Sequence, residues 1–240
     1  MSSGNRSGVG LGGGAGARLV AALALVLACL AVYWPAVGGT PVWDDVFLVG
    51  ANPFFRSPYF VIEVFRHFLF LDTIAPYYRP LQNWSYMLDY ALWGEWFAGY
   101  HLTSIAAHAG AAIALWRLAD GLLRDGLAAS ETAGRGRAGV LTVAAFGVAL
   151  LWALHPAHAA AVAYVSGRAD PLAVLAMVCG WLAFRRWRAA CRRWWWLGSA
   201  ALLVLAGLCA RESALLWLLW FAVYEGGWRS APADGRAAGA

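Results

Sequence analysis

Residues 18–37, RLVAALALVLACLAVYWPAV, form an apolar run that is long enough to cross a lipid bilayer as one helix. About 20 residues of α-helix span roughly 30 Å, the thickness of the hydrocarbon core. Arg6 precedes the run and Arg18 begins it, as basic residues precede the apolar region of a signal peptide, but that region is shorter in a signal peptide. We therefore predict an uncleaved first membrane span after a disordered tail, rich in Gly and Ser, over residues 1–17.

The rest of the chain also has the composition of a membrane protein. Hydrophobic residues make up 62% of the 240 residues and charged residues 13%, against about 45–50% and about 25% in soluble domains. We predict an all-α, polytopic transmembrane bundle of about six spans over residues 18–226, followed by a flexible tail over residues 227–240. The five further apolar segments are residues 98–119, 138–155, 170–185, 195–210 and 213–226.

Several other classes of site and ligand are not indicated. The four cysteines lie mostly inside apolar segments without CxxC spacing, so neither a zinc site nor a disulfide framework is predicted. The sequence has no GxxxxGK[ST] loop and no GxSxG, HExxH or SxxK motif, which argues against a nucleotide donor and the commoner hydrolases. Its basic residues are all arginines clustered in short loops, which membrane topology explains better than nucleic-acid binding.

The distribution of the arginines predicts the orientation of the bundle. If the N-terminus is cytoplasmic, 13 of the 18 arginines lie inside and five outside, as the positive-inside rule requires. The outer regions are then the loop over residues 38–97, the turn near residues 155–170, and the pair Arg211 and Glu212. We therefore expect an integral, multi-pass membrane protein whose unusual charged residues converge on one extracytoplasmic face.

The long outer loop over residues 38–97 contains two amphipathic stretches, PYFVIEVFRHFLFLD at residues 58–72 and RPLQNWSYMLDYALWG at residues 79–94. Apolar residues recur in both at helical spacing. Helices of this kind lie in the plane of the membrane interface. We predict that the loop folds over the bundle and covers a site. The apolar positions are Val61, Val64, Phe65 and Phe68 in the first stretch and Leu81, Trp84, Leu88 and Leu92 in the second.

Two adjacent acids, Asp44 and Asp45, follow the first span within the apolar and aromatic sequence PVWDDVF, residues 41–47. A carboxylate at such a boundary can act as a general base toward a hydroxyl acceptor or as an oxygen ligand of a divalent cation. Neighbouring side chains diverge, so we expect one acid to be the working group and the other to support it. The alternative for the pair is a helix cap in a solvated turn.

A second candidate group is SGRADP, residues 166–171, at the start of a predicted helix. Arg168 and the backbone N–H groups of such a helix start could hold a phosphate beside Asp170. The alternative is an ion pair of Arg168 with Asp170 or Asp44 that only fixes the loop.

His155 and His158 precede SGRADP in the sequence. They are predicted to hydrogen-bond a polar substrate or the backbone that Pro156 frees. Two histidines alone do not predict zinc, since protein zinc sites take three or four ligands. The remaining outer residues with a predicted binding role are Arg79, Arg211 and Glu212.

Three stretches taken together resemble one known family. The first is VWDDVFLVGANPFF at residues 42–55, and the second begins YYRPLQNWSYMLDYALWG at residue 77. The third is HPAHAAAVAYVSGRADPLAVL at residues 155–175, with ARESALLWLL at residues 210–219 after it. These stretches resemble the membrane half of the transmembrane, tetratricopeptide-repeat-containing O-mannosyltransferases and their bacterial homologues, within the GT-C superfamily.

The resemblance implies a glycosyltransferase that moves a hexose from a polyprenyl-phosphate carrier to a protein or glycan acceptor on the extracytoplasmic side, as in a bacterial inner membrane. It implies Asp44 or Asp45 as the catalytic base or ligand, and Arg79, Arg168 and Arg211 as residues that hold the donor phosphate. The sequence requires no cofactor, and a divalent cation is left open.

Members of this superfamily have more spans and, in the tetratricopeptide branch, a repeat region. This chain has no 34-residue period, so we expect a truncated member or a repeat-containing partner. The alternative is a non-catalytic membrane module or transporter subunit that binds a glycan or a partner protein.

Overall fold

The computed structural model describes residues 12–50, 52–67, 69, 77–128, 135–189 and 192–228. Regular structure in these ranges is helical, and no strand occurs in them. The prediction of an all-α protein is therefore confirmed. Most of the two predicted tails, residues 1–11 and 229–240, lies outside the described residues, while residues 12–17 belong to the first helix.

Nine α-helices follow one another along the described residues. They are α1 Gly12–Val37, α2 Phe60–Glu63, α3 Pro80–Trp93, α4 Phe97–Ala128, α5 Arg135–Ala153, α6 Ala159–Ala163, α7 Ala169–Ala189, α8 Trp194–Ala210 and α9 Ala214–Ala222. Short 3-10 turns occupy Pro53–Arg56, Pro156–His158 and Ser166–Arg168, and π-helical turns occupy Val46–Gly50 and Val223–Trp228.

All six predicted apolar segments are helical, but they differ in length. Three stretches of the described chain are long and apolar enough to cross a membrane, Gly14–Val37, Phe97–Gly126 and Ser166–Ala189. A fourth arises only if Gly139–Ala153 and Pro156–Ala163, bent by 48° where Pro156 interrupts the helix, count as one span. The 17-residue α8 and the short α9 fall below that length because the Arg211 turn divides them.

The bundle is built around α4, which packs against α1, α5 and α7, while α8 packs along α7. Small residues allow the helices to approach closely, as is usual in membranes. A Cβ at Gly207 of α8 would lie 2.6 Å from Sδ of Met177, and one at Gly180 of α7 would lie 3.3 Å from the carbonyl oxygen of Ala200. The α7–α8 contact therefore depends on these two glycines.

The loop between α1 and α4 folds over one end of the bundle, as predicted. Within its described residues, the first amphipathic stretch is helical over α2. Just after α2, Val64 is buried and Phe65 is exposed, and Phe68 lies outside the described residues. In α3 the polar residues face inward, and three of the four predicted apolar positions are exposed, namely Trp84, Leu88 and Leu92. This outward apolar face fits a helix that lies against lipid.

Candidate functional site

A pocket of about 340 Å³ lies at the end of the bundle where α1 ends and α7 begins. It is lined by the turn after α1, the residues before α3, the segment from α6 to the start of α7, and the turn between α8 and α9. Its charged lining residues are Asp44, Arg79, Asp170 and Arg211. The fold thus brings together the segments that the arginine distribution placed on one face.

The two adjacent acids have different surroundings. Asp45 is buried, with only 1% of its surface exposed. Its Oδ1 accepts a hydrogen bond from the backbone N–H of Ser166 at 2.7 Å, and its Oδ2 accepts one from Val165 at 3.3 Å. Both oxygens are therefore used within the protein, which assigns Asp45 to the supporting role.

Asp44 is exposed and lines the pocket. No hydrogen bond or ion pair to its carboxylate occurs within the described part of the chain. The residue before it, Trp43, has a φ of 50°, a left-handed conformation that is uncommon for a bulky residue and turns the chain sharply there. Asp44 is therefore the pocket carboxylate that is available to a ligand.

The turn that Asp45 binds is also held from its other side. Nε2 of Gln82 in α3 donates to the carbonyl oxygen of Ser166 at 2.6 Å, and the Tyr86 hydroxyl donates to that of Val165 at 3.2 Å. Burial raises the pKa of the Tyr86 phenol, so it keeps the proton that it donates. The backbone of this turn is thus clamped between Asp45 and α3.

Arg168 does not reach the pocket. Its side chain is fully buried and forms an ion pair with Asp89, which is fully buried as well. It also donates to Oγ of Ser104 at 3.1 Å, to the carbonyl oxygen of Tyr100 at 2.6 Å and to Oγ of Ser85 at 3.3 Å. The predicted role in holding a phosphate is therefore not supported, because its donors are occupied and inaccessible. The ion-pair alternative applies, with Asp89 instead of Asp170 or Asp44 as the partner.

The other two predicted arginines lie in the pocket wall. Nη2 of Arg79 lies 3.0 Å from Oε2 of Glu212, and its Cζ lies 4.8 Å from the ring centre of Tyr77. Arg211 forms an ion pair with Asp170. Partial burial alone would raise the pKa of Glu212, but the hydrogen bond from Arg79 and the charges of Arg79 and Arg211 lower it below its usual range.

The two predicted histidines do not line the pocket. Nδ1 of His155 accepts a hydrogen bond at 3.2 Å from the N–H two residues later, so it caps the turn that begins at Pro156. The His158 ring packs against Trp152, with 4.6 Å between ring centres, and lies 5.4 Å from that of His108. Of the two predicted alternatives, His155 therefore shows the one in which it satisfies backbone groups.

The residues that the structure describes offer few side-chain ligands for a metal ion. Among them, no group of three or more His, Cys, Asp or Glu side chains lies close enough together to hold one. The pocket carboxylates Asp44 and Asp170 remain two potential oxygen ligands.

Sequence reasoning missed the residues that support the site. Gln82, Tyr86 and Asp89 are buried polar side chains on α3, and they anchor the pocket turn and Arg168. Their positions repeat at helical spacing, so the signal was present. A polar side on an amphipathic helix does not by itself show whether that side meets water or protein.

Comparison of the sequence with known proteins finds several relatives of this chain. Protein O-mannosyl-transferase Tmtc1 of Drosophila melanogaster is 34% identical over 142 residues, which is 59% of this chain and 15% of that protein. Tmtc3 of the same species is 27% identical over 224 residues, 87% of this chain and 24% of the relative. TMTC1 of Mus musculus is 30% identical over 172 residues, 69% of this chain and 17% of the relative.

This chain is similar to part of the protein O-mannosyl-transferases. The resemblance that its motifs predicted is thereby confirmed. The aligned region spans only 15% to 24% of the length of these three relatives. No family model and no solved structure matches the chain.

Proposed function

We propose that this chain forms the transfer site of a membrane glycosyltransferase that resembles the protein O-mannosyltransferases. The observation that carries the proposal is the pocket in which the free carboxylate of Asp44 lies with Arg79 and Arg211. The names of the relatives support mannose as the sugar and a protein as the acceptor. A polyprenyl-phosphate-linked sugar is the proposed donor, because two arginines suit a phosphate leaving group.

In the proposed step, Asp44 takes the proton from an acceptor hydroxyl. The acceptor oxygen then forms a bond to the anomeric carbon of the sugar, with inversion of configuration. The bond from that carbon to the phosphate oxygen breaks, and the polyprenyl phosphate leaves with the electron pair. Arg79 and Arg211 stabilise the negative charge that develops on this leaving group.

Two acids orient these arginines. Glu212 holds Arg79 and Asp170 holds Arg211, which lowers the entropy that each long side chain loses when a phosphate binds. Both arginines keep further N–H donors for the phosphate, since each guanidinium has five. Asp170 and Glu212 are therefore proposed to act on the substrate through the arginines.

The proposed site faces the extracytoplasmic side. The support is the distribution of arginines, which places this end of the bundle opposite the Arg-rich end. Donor and acceptor would then meet outside the membrane, under the loop that contains α2 and α3.

Sugar transfer by the purified protein in lipid nanodiscs, with and without the lipid-linked donor, tests this function. Labelled mannose transfer from polyprenyl-phosphate mannose to a Ser- and Thr-containing peptide is measured for the wild type, Arg79→Gln, Arg211→Gln and Arg66→Gln. Arg66 is exposed and paired with Glu63, away from the pocket, and serves as the matched control. We expect each pocket variant to raise the KM for the donor about 10-fold or more, the equivalent of a lost charged hydrogen bond, and the control to match the wild type. Absence of transfer by the wild type would contradict the proposal.

A non-catalytic glycan-binding module is the second candidate. It is favoured by the charge balance of the pocket wall, where Arg79 and Arg211 are each already paired with an acid. Such a module would bind a labelled mannosyl peptide with the same affinity after Asp44→Asn and would show no donor-dependent transfer.

A further inference from the structure

The end of the bundle opposite the pocket carries a surplus of arginines around the turn between α7 and α8. Two of the arginines there are paired, Arg185 with Asp125 at 2.7 Å and Arg188 with Glu225 at 2.5 Å. The others are exposed and have no acidic partner within the described ranges. They are Arg186, Arg192 and Arg193.

Tryptophans lie against two of these arginines. Cζ of Arg192 lies 5.4 Å from the ring centre of Trp187, and Cζ of Arg193 lies 4.6 Å from that of Trp195. Contacts of this kind hold a guanidinium over an aromatic face while leaving its N–H groups free. Trp194, between Arg193 and Trp195 in the sequence, is 77% exposed. We call Arg186, Trp187 and residues 192–195 the Arg–Trp turn.

The chemistry of the Arg–Trp turn matches one kind of ligand. The turn follows α7, which is long and apolar enough to cross a membrane, so its indoles lie at the boundary that tryptophan prefers. A guanidinium donates two parallel hydrogen bonds to a phosphate and is more weakly hydrated than an ammonium group. An anionic phospholipid offers a phosphate, a net negative charge and acyl chains at the same boundary, whereas a soluble acidic partner would leave the exposed indole uncovered.

We infer that the Arg–Trp turn binds the headgroups of anionic phospholipids at the end of the molecule opposite the pocket. Such binding is independent of the proposed transfer reaction. It also differs from the effect of the arginines on orientation, because their charge alone would place the turn on one side of the membrane without favouring one phospholipid over another.

The inference is tested by measuring which phospholipids the purified protein retains. Protein from nanodiscs that contain equal amounts of phosphatidylglycerol and phosphatidylcholine is examined by native mass spectrometry, and the bound lipids are counted. We expect the wild type to retain several-fold more phosphatidylglycerol. Arg192→Asn/Arg193→Gln should lower that preference by about fivefold or more. Asparagine is chosen because Arg192 has a φ of 54°, which asparagine tolerates.

The matched control is Arg56→Gln/Arg66→Gln, which removes the same charge from exposed arginines at the pocket end. We expect this variant to keep the wild-type preference. Arg186→Gln, an exposed change on α7, provides a second and milder variant that should lower the preference less without affecting folding. Equal retention of both lipids by the wild type, or an equal loss of preference in the control, would overturn the inference.

Discussion

The carboxylate of Asp45 accepts hydrogen bonds from two backbone N–H groups of the pocket turn, so its replacement should act on stability. Asp45→Ala leaves the N–H groups of Val165 and Ser166 without this acceptor in a buried place. Hydrogen bonds to charged groups contribute about 1.5–3 kcal/mol each. We expect Asp45→Ala to lower the melting temperature in detergent, whereas Asp44→Ala should leave it near that of the wild type.

Hydrogen exchange provides an independent measure of the same clamp. Faster exchange of the peptide that contains residues 164–168 is expected in Asp45→Ala and not in Asp44→Ala. Equal exchange and equal melting temperatures in the two variants would show that the two acids do not divide their roles.

Arg168 illustrates the cost of breaking a buried ion pair. Arg168→Met removes the charge that faces Asp89 and leaves this acid buried without its partner. Loss of one member of such a pair costs about 3–5 kcal/mol. We expect strong destabilisation in Arg168→Met, measured by thermal unfolding, and partial recovery in Arg168→Met/Asp89→Asn. No recovery in the double variant would mean that the other hydrogen bonds of Arg168 dominate.

At the scale of single residues, the sequence singled out the charged residues of the pocket but not their roles. Asp44, Arg79 and Arg211 line the pocket, and Arg168 does not. The sequence could not distinguish Asp44 from Asp45, because the turn at Trp43 and the position of the distant residues 165–166 decide which carboxylate is covered. Long-range contacts of this kind leave no local pattern.

At the scale of elements, the turn between α6 and α7 depends on close backbone packing at Gly167. A Cβ there would lie 2.4 Å from the carbonyl oxygen of Ala160 and 2.9 Å from Cα of Ala161. Backbone atoms cannot move aside as a flexible side chain can. We therefore expect Gly167→Ala to displace the turn, lower the melting temperature and reduce transfer.

Gly198→Ala in α8 is the matched control for this substitution. Nothing lies within 4 Å of the added Cβ, and alanine is favoured over glycine in a helix by up to about 1 kcal/mol. Its melting temperature should equal or exceed that of the wild type. A Gly167→Ala protein as stable and active as Gly198→Ala would contradict the importance of this close approach.

Hydrophobic periodicity predicts where the helices lie in the sequence better than it predicts what each side of a helix contacts. It located α3, and helix propensity with Pro80 at the first position explains its start. The helical repeat of apolar residues alone does not show whether the apolar face contacts protein or lipid. In α3 it faces outward, since Gln82, Tyr86 and Asp89 find their partners inside the bundle.

At the scale of the whole molecule, the two ends of the bundle differ in chemistry. The pocket and its acids lie at one end and the Arg–Trp turn lies at the other. The number of spans could not be read from hydropathy, because α8 and α9 are apolar but short and a bend of 48° separates α5 from the helical segment Pro156–Ala163. The charge distribution nevertheless makes a definite prediction about the side that each end faces.

Single cysteines test that orientation. In a chain whose native cysteines are replaced by alanine, Tyr59→Cys lies in the loop at the pocket end and Trp194→Cys lies at the other end. The exposed fractions of the two native side chains, 87% and 77%, make them a matched pair. We expect a membrane-impermeant thiol reagent, added to intact cells, to label Cys at position 59 and not at position 194. The reverse pattern would invert the bundle.

We propose that the free carboxylate of Asp44 is the base of a glycosyl transfer. Its most direct test is the rate of mannose transfer from a polyprenyl-phosphate donor by Asp44→Asn, an isosteric change that removes the basic group and no buried contact. General base catalysis contributes about 10²–10⁴-fold. We expect kcat to fall at least about 100-fold with an unchanged melting temperature and donor KM. Transfer by Asp44→Asn at the wild-type rate would show that Asp44 is not the base.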